Sequence, residues 1–232
     1  MNETTAVILC GGRGERLKPF TDHVPKPLVP LNGQPLLRHL TDHLFRFGIH
    51  RFVFCTGYKA EALEAFVNEG FPEGCTAVCS NSGEDAGMTH RLKSAALHVP
   101  AKAIVCYGDT VANVDIAALS QTHTASGAIA TMTVHALQSP FGIVRFDELG
   151  RVNAFEEKPQ LPYWINIGYL LCESGFLDTI TPAQEDMPQL LKRLADGNEL
   201  GAYMHKGKHL TVNTEKEREQ ADIEVIDIFT MP

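Results

Sequence analysis

Residues 9–37 read LCGGRGERLKPFTDHVPKPLVPLNGQPLL, setting Gly11, Gly12 and Gly14 beside Arg13, Arg16 and Lys18, with Lys26 held between Pro25 and Pro27. Glycines at such spacing let backbone N–H groups approach a ligand closely, and N–H groups leading into a helix are donors to phosphate oxygens. Arginine adds bidentate donors for a phosphate, and a lysine between two prolines is a point charge on a restricted backbone. The chemistry these types and spacings support is the holding of a polyphosphate. The spacing is neither G-x-G-x-x-G nor G-x4-G-K-[ST], which weighs against dinucleotide-fold and P-loop readings. A second candidate is Asp109, which follows the apolar run KAIVCYG at 102–108. A carboxylate at a strand end can meet Mg²⁺ through oxygen, or it can cap a turn after Gly108.

The elements that must position these groups follow from periodicity. TAVILC (5–10), RFVFCT (51–56), CTAVCS (75–80) and KAIVCYG (102–108) are short apolar, β-branched runs. Between them PLLRHLTDHLFRFG and KAEALEAFVNEG carry apolar residues at i, i+3, i+4 and i+7. Alternating strand and helix predicts an α/β fold with a mixed, mainly parallel sheet and helices on both faces, whose ligands bind beyond the carboxyl ends of the strands. In the second half AIATMTVH (128–135), GIVRF (142–146), GRVNAFEEKP (150–159) and WINIGYLLC (164–172) read as strands. A helix near 186–196, a strand near 209–213 and a charged helix from Thr214 complete the chain. Asp115 is placed to cap the helix that follows it. No linker interrupts the sequence, so residues 1–232 are expected to form one domain, with a nucleotide-binding half to about residue 125 and an acceptor-binding half beyond it.

Taken together, GGRGERLKP followed by PKPLVPLNGQPLL resembles the signature of the sugar-phosphate nucleotidyltransferases. The resemblance implies a Rossmann-like fold of GT-A type and the joining of a nucleoside triphosphate to a sugar 1-phosphate with release of pyrophosphate. Further landmarks follow in order: YGD at 107–109, FEEKP at 155–159, WINIGYLL at 164–171 and TVNTEKE near the C-terminus. Carried over residue by residue, the resemblance implies that Arg16 and the Gly11, Gly12 and Gly14 amides hold the triphosphate and that Lys26 sits at the α-phosphate. Leu9, Arg13, Asn81, Gly87 and Gly108 are expected around the nucleotide, and Asp109 is expected to hold Mg²⁺. Glu157, Lys158 and Asn166 are expected at the sugar phosphate. Many relatives carry a second metal-binding aspartate where this chain has Asn213, whose amide oxygen is the expected replacement ligand. Ile167 stands in place of the second glycine of the family's Asn-Gly-Gly segment, and is expected to crowd the sugar pocket. GEDAGMTHRLKSA and YGDTVANVDI are closer to the glucose 1-phosphate cytidylyltransferases, so CTP is the expected nucleotide. Alternatives are a mannose or heptose 1-phosphate guanylyltransferase, a transferase for a phosphonate or other non-sugar acceptor, and a non-catalytic nucleotide-sugar-binding regulator.

Composition narrows the classes. Hydrophobic residues make up 44% and charged residues 21%, as in a globular protein, and a net charge of −8 weighs against nucleic acid as partner. A few cations in one loop can still hold a triphosphate. The opening MNETTAVILC lacks a basic n-region and its apolar run is short for a signal or membrane segment, so a cytoplasmic location without membrane attachment is expected. Cys10, Cys55, Cys106 and Cys172 fall in or beside strand-like runs, where a thiol acts as a small hydrophobe. Cys75 and Cys79 have no second Cys/His pair at zinc-site distance. A phosphate monoester is already largely ionised near pH 7, so no general base is needed. His39, His43 and His123 are accordingly expected as surface or partly buried helix residues. A homodimer is compatible with the sequence, through an apolar helix face.

Overall fold

A computed structural model of the chain describes residues 3–230. Strand β1 (Thr4–Leu9) leads through the glycine loop into helix α1 (Phe20–His23) and the small hairpin β2 (Pro30–Leu31) and β3 (Gln34–Pro35). Then follow α2 (Leu36–Arg46), β4 (Arg51–Thr56), α3 (Ala60–Asn68), β5 (Thr76–Asn81), α4 (Met88–Ala95) and β6 (Lys102–Tyr107). Strand β7 (Thr110–Ala112), helix α5 (Ile116–Ser126) and strand β8 (Ala130–Gln138) come next, and then the hairpin β9 (Ile143–Phe146) and β10 (Val152–Glu156). The chain closes with β11 (Gln160–Glu173), α6 (Ser174–Thr179), α7 (Met187–Asp196), β12 (Leu200–Met204), β13 (His209–Thr211) and α8 (Glu215–Thr230).

Among the described residues the main sheet has seven strands in the order β12-β8-β11-β6-β1-β4-β5. Strand β1 pairs in parallel with both β4 and β6, β4 with β5, and β12 with β8. Only β11 runs antiparallel, against β6 on one side and β8 on the other. The central strands are unbroken apolar runs because both faces are covered. Ala6 and Ile8 of β1 pack with Leu37, Leu40 and Leu44 of α2, Leu63 of α3 and Leu119 of α5. Val7 faces the other way, toward Leu92 of α4, Leu177 of α6 and Leu190 of α7. Both clusters draw residues from before and after residue 125. A third cluster joins Leu17, Val29, Leu36, Val111 and Val212 to Ala221, Val225 and Ile228 of α8.

The expected α/β sheet with helices on both faces is what the structure has. Asp115 caps α5, its Oδ1 accepting from the Ala118 N–H at 2.9 Å. Cys10, Cys55, Cys106 and Cys172 are buried, and burial pushes their thiols up in pKa, to about 12 for Cys55. Three readings are corrected. His43 and His123, expected at the surface or partly buried, are fully buried, because their ring nitrogens find internal partners: His43 Nε2 the Val114 carbonyl oxygen at 2.9 Å, and His123 Nδ1 the Thr131 hydroxyl at 2.9 Å. Ile167 turns into the core with Ile8 and Tyr169 instead of crowding a pocket, because β11 carries an irregularity between Asn166 and Leu170. Strands β9 and β10 are real but stand apart as a separate two-stranded sheet. Strand β12, with no clean alternation in LGAYM, had no sequence expectation.

Candidate active site

The carboxyl ends of β1 and β6 open into a cleft of about 730 Å³. Its floor is Leu9, Cys10, Gly11, Gly12 and Gly14 from the loop after β1, with Tyr107, Gly108 and Asp109 from the end of β6. Position follows from pairing, since Leu9 and Tyr107 are register partners and the Gly108 N–H donates to the Leu9 carbonyl at 3.0 Å. Lys26 and Arg16 enter from the loop side, Asn213 from the turn after β13, and Gly87, Met88 and Thr89 from the start of α4. Asp186, Met187 and Pro188 close the rim at the start of α7.

One corner gathers opposite charges at close range. The buried Lys26 ammonium donates to Asp109 Oδ2 at 2.6 Å and to Asn213 Oδ1 at 2.8 Å, while Arg16 donates to the same Asn213 oxygen at 2.9 Å. Pairing of β13 with β7 brings Asn213 here across the sequence, for β7 directly follows Asp109 and the Val212 N–H donates to the Asp109 carbonyl at 3.1 Å. Glu217 then pins the turn by accepting from the backbone N–H groups of Asn213 and Thr214 at 2.7 and 3.1 Å. One carboxylate and one amide oxygen thus meet a single ammonium. These are hard oxygen donors of the kind Mg²⁺ takes when phosphates and waters complete its shell, so the residues present fit a divalent cation.

The residue that sequence reasoning missed is Arg91, which is buried on α4 and lines the cleft. Its guanidinium donates to the carbonyls of Thr56, Gly11 (3.2 Å), Gly83 (2.9 Å) and Glu84 (3.3 Å), tying the end of β4 and the glycine loop to the loop before α4. Among the described residues no carboxylate forms an ion pair with it, and burial lowers its pKa. A Cβ at Gly11 would sit inside this guanidinium, which is the physical reason glycine stands there, whereas a Cβ at Gly12 would meet nothing. The available signal was that Arg91 lies beside Leu92 and four residues before Ala95, on the buried stripe of an amphipathic helix.

Other expected residues sit farther out. Arg13 is half-exposed and bridges to Glu84 at 2.9 Å and Asp85 at 3.2 Å, so it ties the glycine loop to the loop before α4 from outside. Asn81 is exposed and accepts from the Gly83 N–H at 2.9 Å. Glu157 and Lys158 are exposed in the bend after β10 and do not line the cleft. Asn166 is exposed, its Oδ1 accepting from the Gly168 N–H at 2.9 Å; it does not line the cleft but neighbours Tyr107, which does. Burial raises the Tyr107 phenol above its ordinary value.

A nucleotidyl transferase family model matches residues 5–217. The glucose-1-phosphate cytidylyltransferase of Salmonella typhi is 31% identical, covering 87% of this chain and 88% of that protein. The mannose-1-phosphate guanylyltransferase of Mycobacterium tuberculosis is 32% identical over 79% of this chain, which spans 53% of that longer protein. Among solved structures, HddC from Yersinia pseudotuberculosis in complex with GMP-PN superposes with a TM-score of 0.75 at 23% identity, covering 95% of this chain and 98% of that one. No helix among the described residues is long and apolar enough to cross a membrane.

Proposed function

Since the chain belongs to the nucleotidyl transferase family, we propose that its cleft joins a nucleoside triphosphate to a sugar 1-phosphate, giving a nucleotide sugar and pyrophosphate. The observation that carries this reading is the corner where Arg16, Lys26, Asp109 and Asn213 meet beside the glycine loop. In the reaction a phosphate oxygen of the acceptor attacks the α-phosphorus and the pyrophosphate leaves on the opposite side. Two polyanions must approach, so repulsion has to be offset and the attacking and leaving oxygens aligned. Arg16 and the amides of Gly11, Gly12 and Gly14 hold the β- and γ-phosphates. Lys26 leaves its present partners to meet the α-phosphate, stabilising charge as it develops there. No side chain need remove a proton from the ionised acceptor. Asp109 and Asn213 would hold Mg²⁺, which supplies Lewis-acid polarisation of the phosphates when bound. Gly87 and the loop before α4 flank the base, with Asn81 shaping that loop. Lys158, Glu157 and Asn166 serve the acceptor from the β10–β11 side, on the strength of the family pattern.

We infer CTP as the preferred nucleotide, supported by the cytidylyltransferase relative and by the likeness of the loop before α4. A guanylyltransferase is the second reading, favoured by the mycobacterial relative of equal identity within one per cent. The test is pyrophosphate release with CTP, GTP, UTP, ATP and dTTP against a panel of sugar 1-phosphates in Mg²⁺. Preference for CTP by kcat/KM supports the first reading and preference for GTP the second. Absence of pyrophosphate release across the panel would overturn the proposed transfer to sugar 1-phosphates.

A further inference from the structure

The cleft has two unlike walls. Arg16, Lys26, Asp109 and Asn213 make one of them charged, as a polyphosphate requires, which leaves the other to the nucleoside. That second wall comes from the starts of α4 and α7, where Ala86, Gly87, Met88, Met187 and Pro188 present small or apolar groups suited to the flat faces of a base. The two helix starts are tied together, since the Thr89 hydroxyl donates to the Glu185 carbonyl at 2.9 Å. Arg193 in turn holds the Glu185 carboxylate through two hydrogen bonds of 2.9 Å.

Asp186 brings a carboxylate into this wall. Its Oδ1 accepts from the Gln189 N–H at 2.9 Å while Gln189 Oε1 accepts from the Asp186 N–H at 2.8 Å, a capping box that fixes the side chain at the start of α7. Among the described residues Asp186 Oδ2 has no partner and no cation pairs with this carboxylate, whereas Glu84 on the α4 side is paired with Arg13 at 2.9 Å. Capping accounts for one oxygen only, and asparagine or serine would cap as well without a charge. A second carboxylate oxygen near a bound triphosphate is repelled by it, unless the ligand itself donates a hydrogen bond there.

We propose that Asp186 reads the base of the nucleotide, its free oxygen accepting from an exocyclic amine. The inference rests on the reading of the cleft as a nucleoside triphosphate site and names the class of base it takes. Cytosine carries an amine at its 4-position and guanine at its 2-position, and a carboxylate is a matching acceptor for such a group. Uracil and thymine present a carbonyl oxygen where cytosine has the amine, and hypoxanthine has only a hydrogen where guanine has it. Such a base leaves the carboxylate unpaired, and uracil or thymine adds repulsion between two acceptors.

Calorimetric titration of the intact protein in Mg²⁺ with CTP, UTP, GTP and inosine triphosphate, without acceptor, tests this. The expected result is that the tighter-binding pair, CTP with UTP or GTP with inosine triphosphate, favours its amine-bearing member about tenfold or more. In Asp186→Asn the cap still requires an acceptor oxygen, so the amide NH₂ is left to the ligand; the preference should fall about tenfold, and CTP over UTP should move toward UTP. Asp186→Ser also caps but is shorter, and should lose the preference without tightening UTP. Wild-type protein indifferent within both pairs overturns the proposal, and so does a preference unchanged in both variants. Equal weakening of all four nucleotides in the variants also overturns it, by assigning Asp186 to the ribose or to the cap alone. Binding of none of the four would overturn the nucleotide reading of the cleft as well.

Discussion

Arg91 acts at the scale of one side chain, its guanidinium holding four carbonyls from the end of β4, the glycine loop and the loop before α4. Lysine in its place keeps a charge but loses the planar fork and with it several of these hydrogen bonds, at about 1–3 kcal/mol together. Arg91→Lys should therefore lower Tm by several degrees, at about 2–4 °C per kcal/mol for a domain of this size, and raise the triphosphate KM; differential scanning calorimetry and initial rates check both. Gly12 offers the opposite case, because an added Cβ there meets no protein atom. Gly12→Ala should leave Tm within about a degree of the original and still raise the KM for the triphosphate several-fold, since the methyl would enter the space proposed for phosphate. An unchanged KM would show that the triphosphate does not rest on this amide. For Asp109→Asn, which removes the charge paired with Lys26 at 2.6 Å, pyrophosphate release should fall by roughly 10²-fold or more with folding intact. Near-normal turnover at saturating Mg²⁺ would remove Asp109 from the metal site.

At the scale of elements, the irregularity in β11 decides how that strand, proposed to serve the acceptor, meets the cleft. Gly168 lies at φ +81°, where a side chain is strained, and a Cβ there would stand 2.7 Å from the Tyr107 ring that lines the cleft. Gly168→Ala should cost at least about 1 kcal/mol and push Tyr107 toward the ligand space, lowering Tm and raising the acceptor KM more than that of the triphosphate. Equal change in both Michaelis constants would mean that Tyr107 does not separate the two substrates. The same irregularity sends Ile167 inward, so the residue that breaks the family's glycine pair serves packing and not the pocket.

Across the whole molecule, buried histidines set the response to acid. Burial lowers the pKa of His43, His123 and His205, and lowers His209 to about 4, with His135 adding repulsion. These rings stay neutral in the fold, while in the unfolded chain they take up protons below about 6.5. Between that value and the folded values the unfolded state binds more protons, so stability falls as pH falls. Glu173, held down by Lys102, and Glu185, held down by Arg193, add to the loss below their ordinary carboxylate range. Thermal unfolding should show Tm declining from pH 7 to pH 4.5, with His209→Gln flattening the slope. A Tm constant over that range would contradict the burial of these rings.

The sequence by itself determined the alternation of strand and helix, the parallel sheet and the glycine loop with its cations, because these follow from local periodicity and from residue types whose roles are intrinsic. It also placed Asp109 at a strand end, Asn213 as the candidate second ligand and Asp115 as a cap, since each follows from its near neighbours or from the family pattern. The tertiary structure decided which of these residues meet. Lys26 and Asn213 come together across 187 positions because β13 pairs with β7, and no local signal encodes that pairing. Arg91 was legible as a helical residue but not as a clamp, because its partners are backbone carbonyls whose identity leaves no mark on side-chain chemistry. The exposed face of the β9–β10 hairpin was hidden for the converse reason: alternation reveals an apolar face, and only the packed chain shows that among the described residues none covers it.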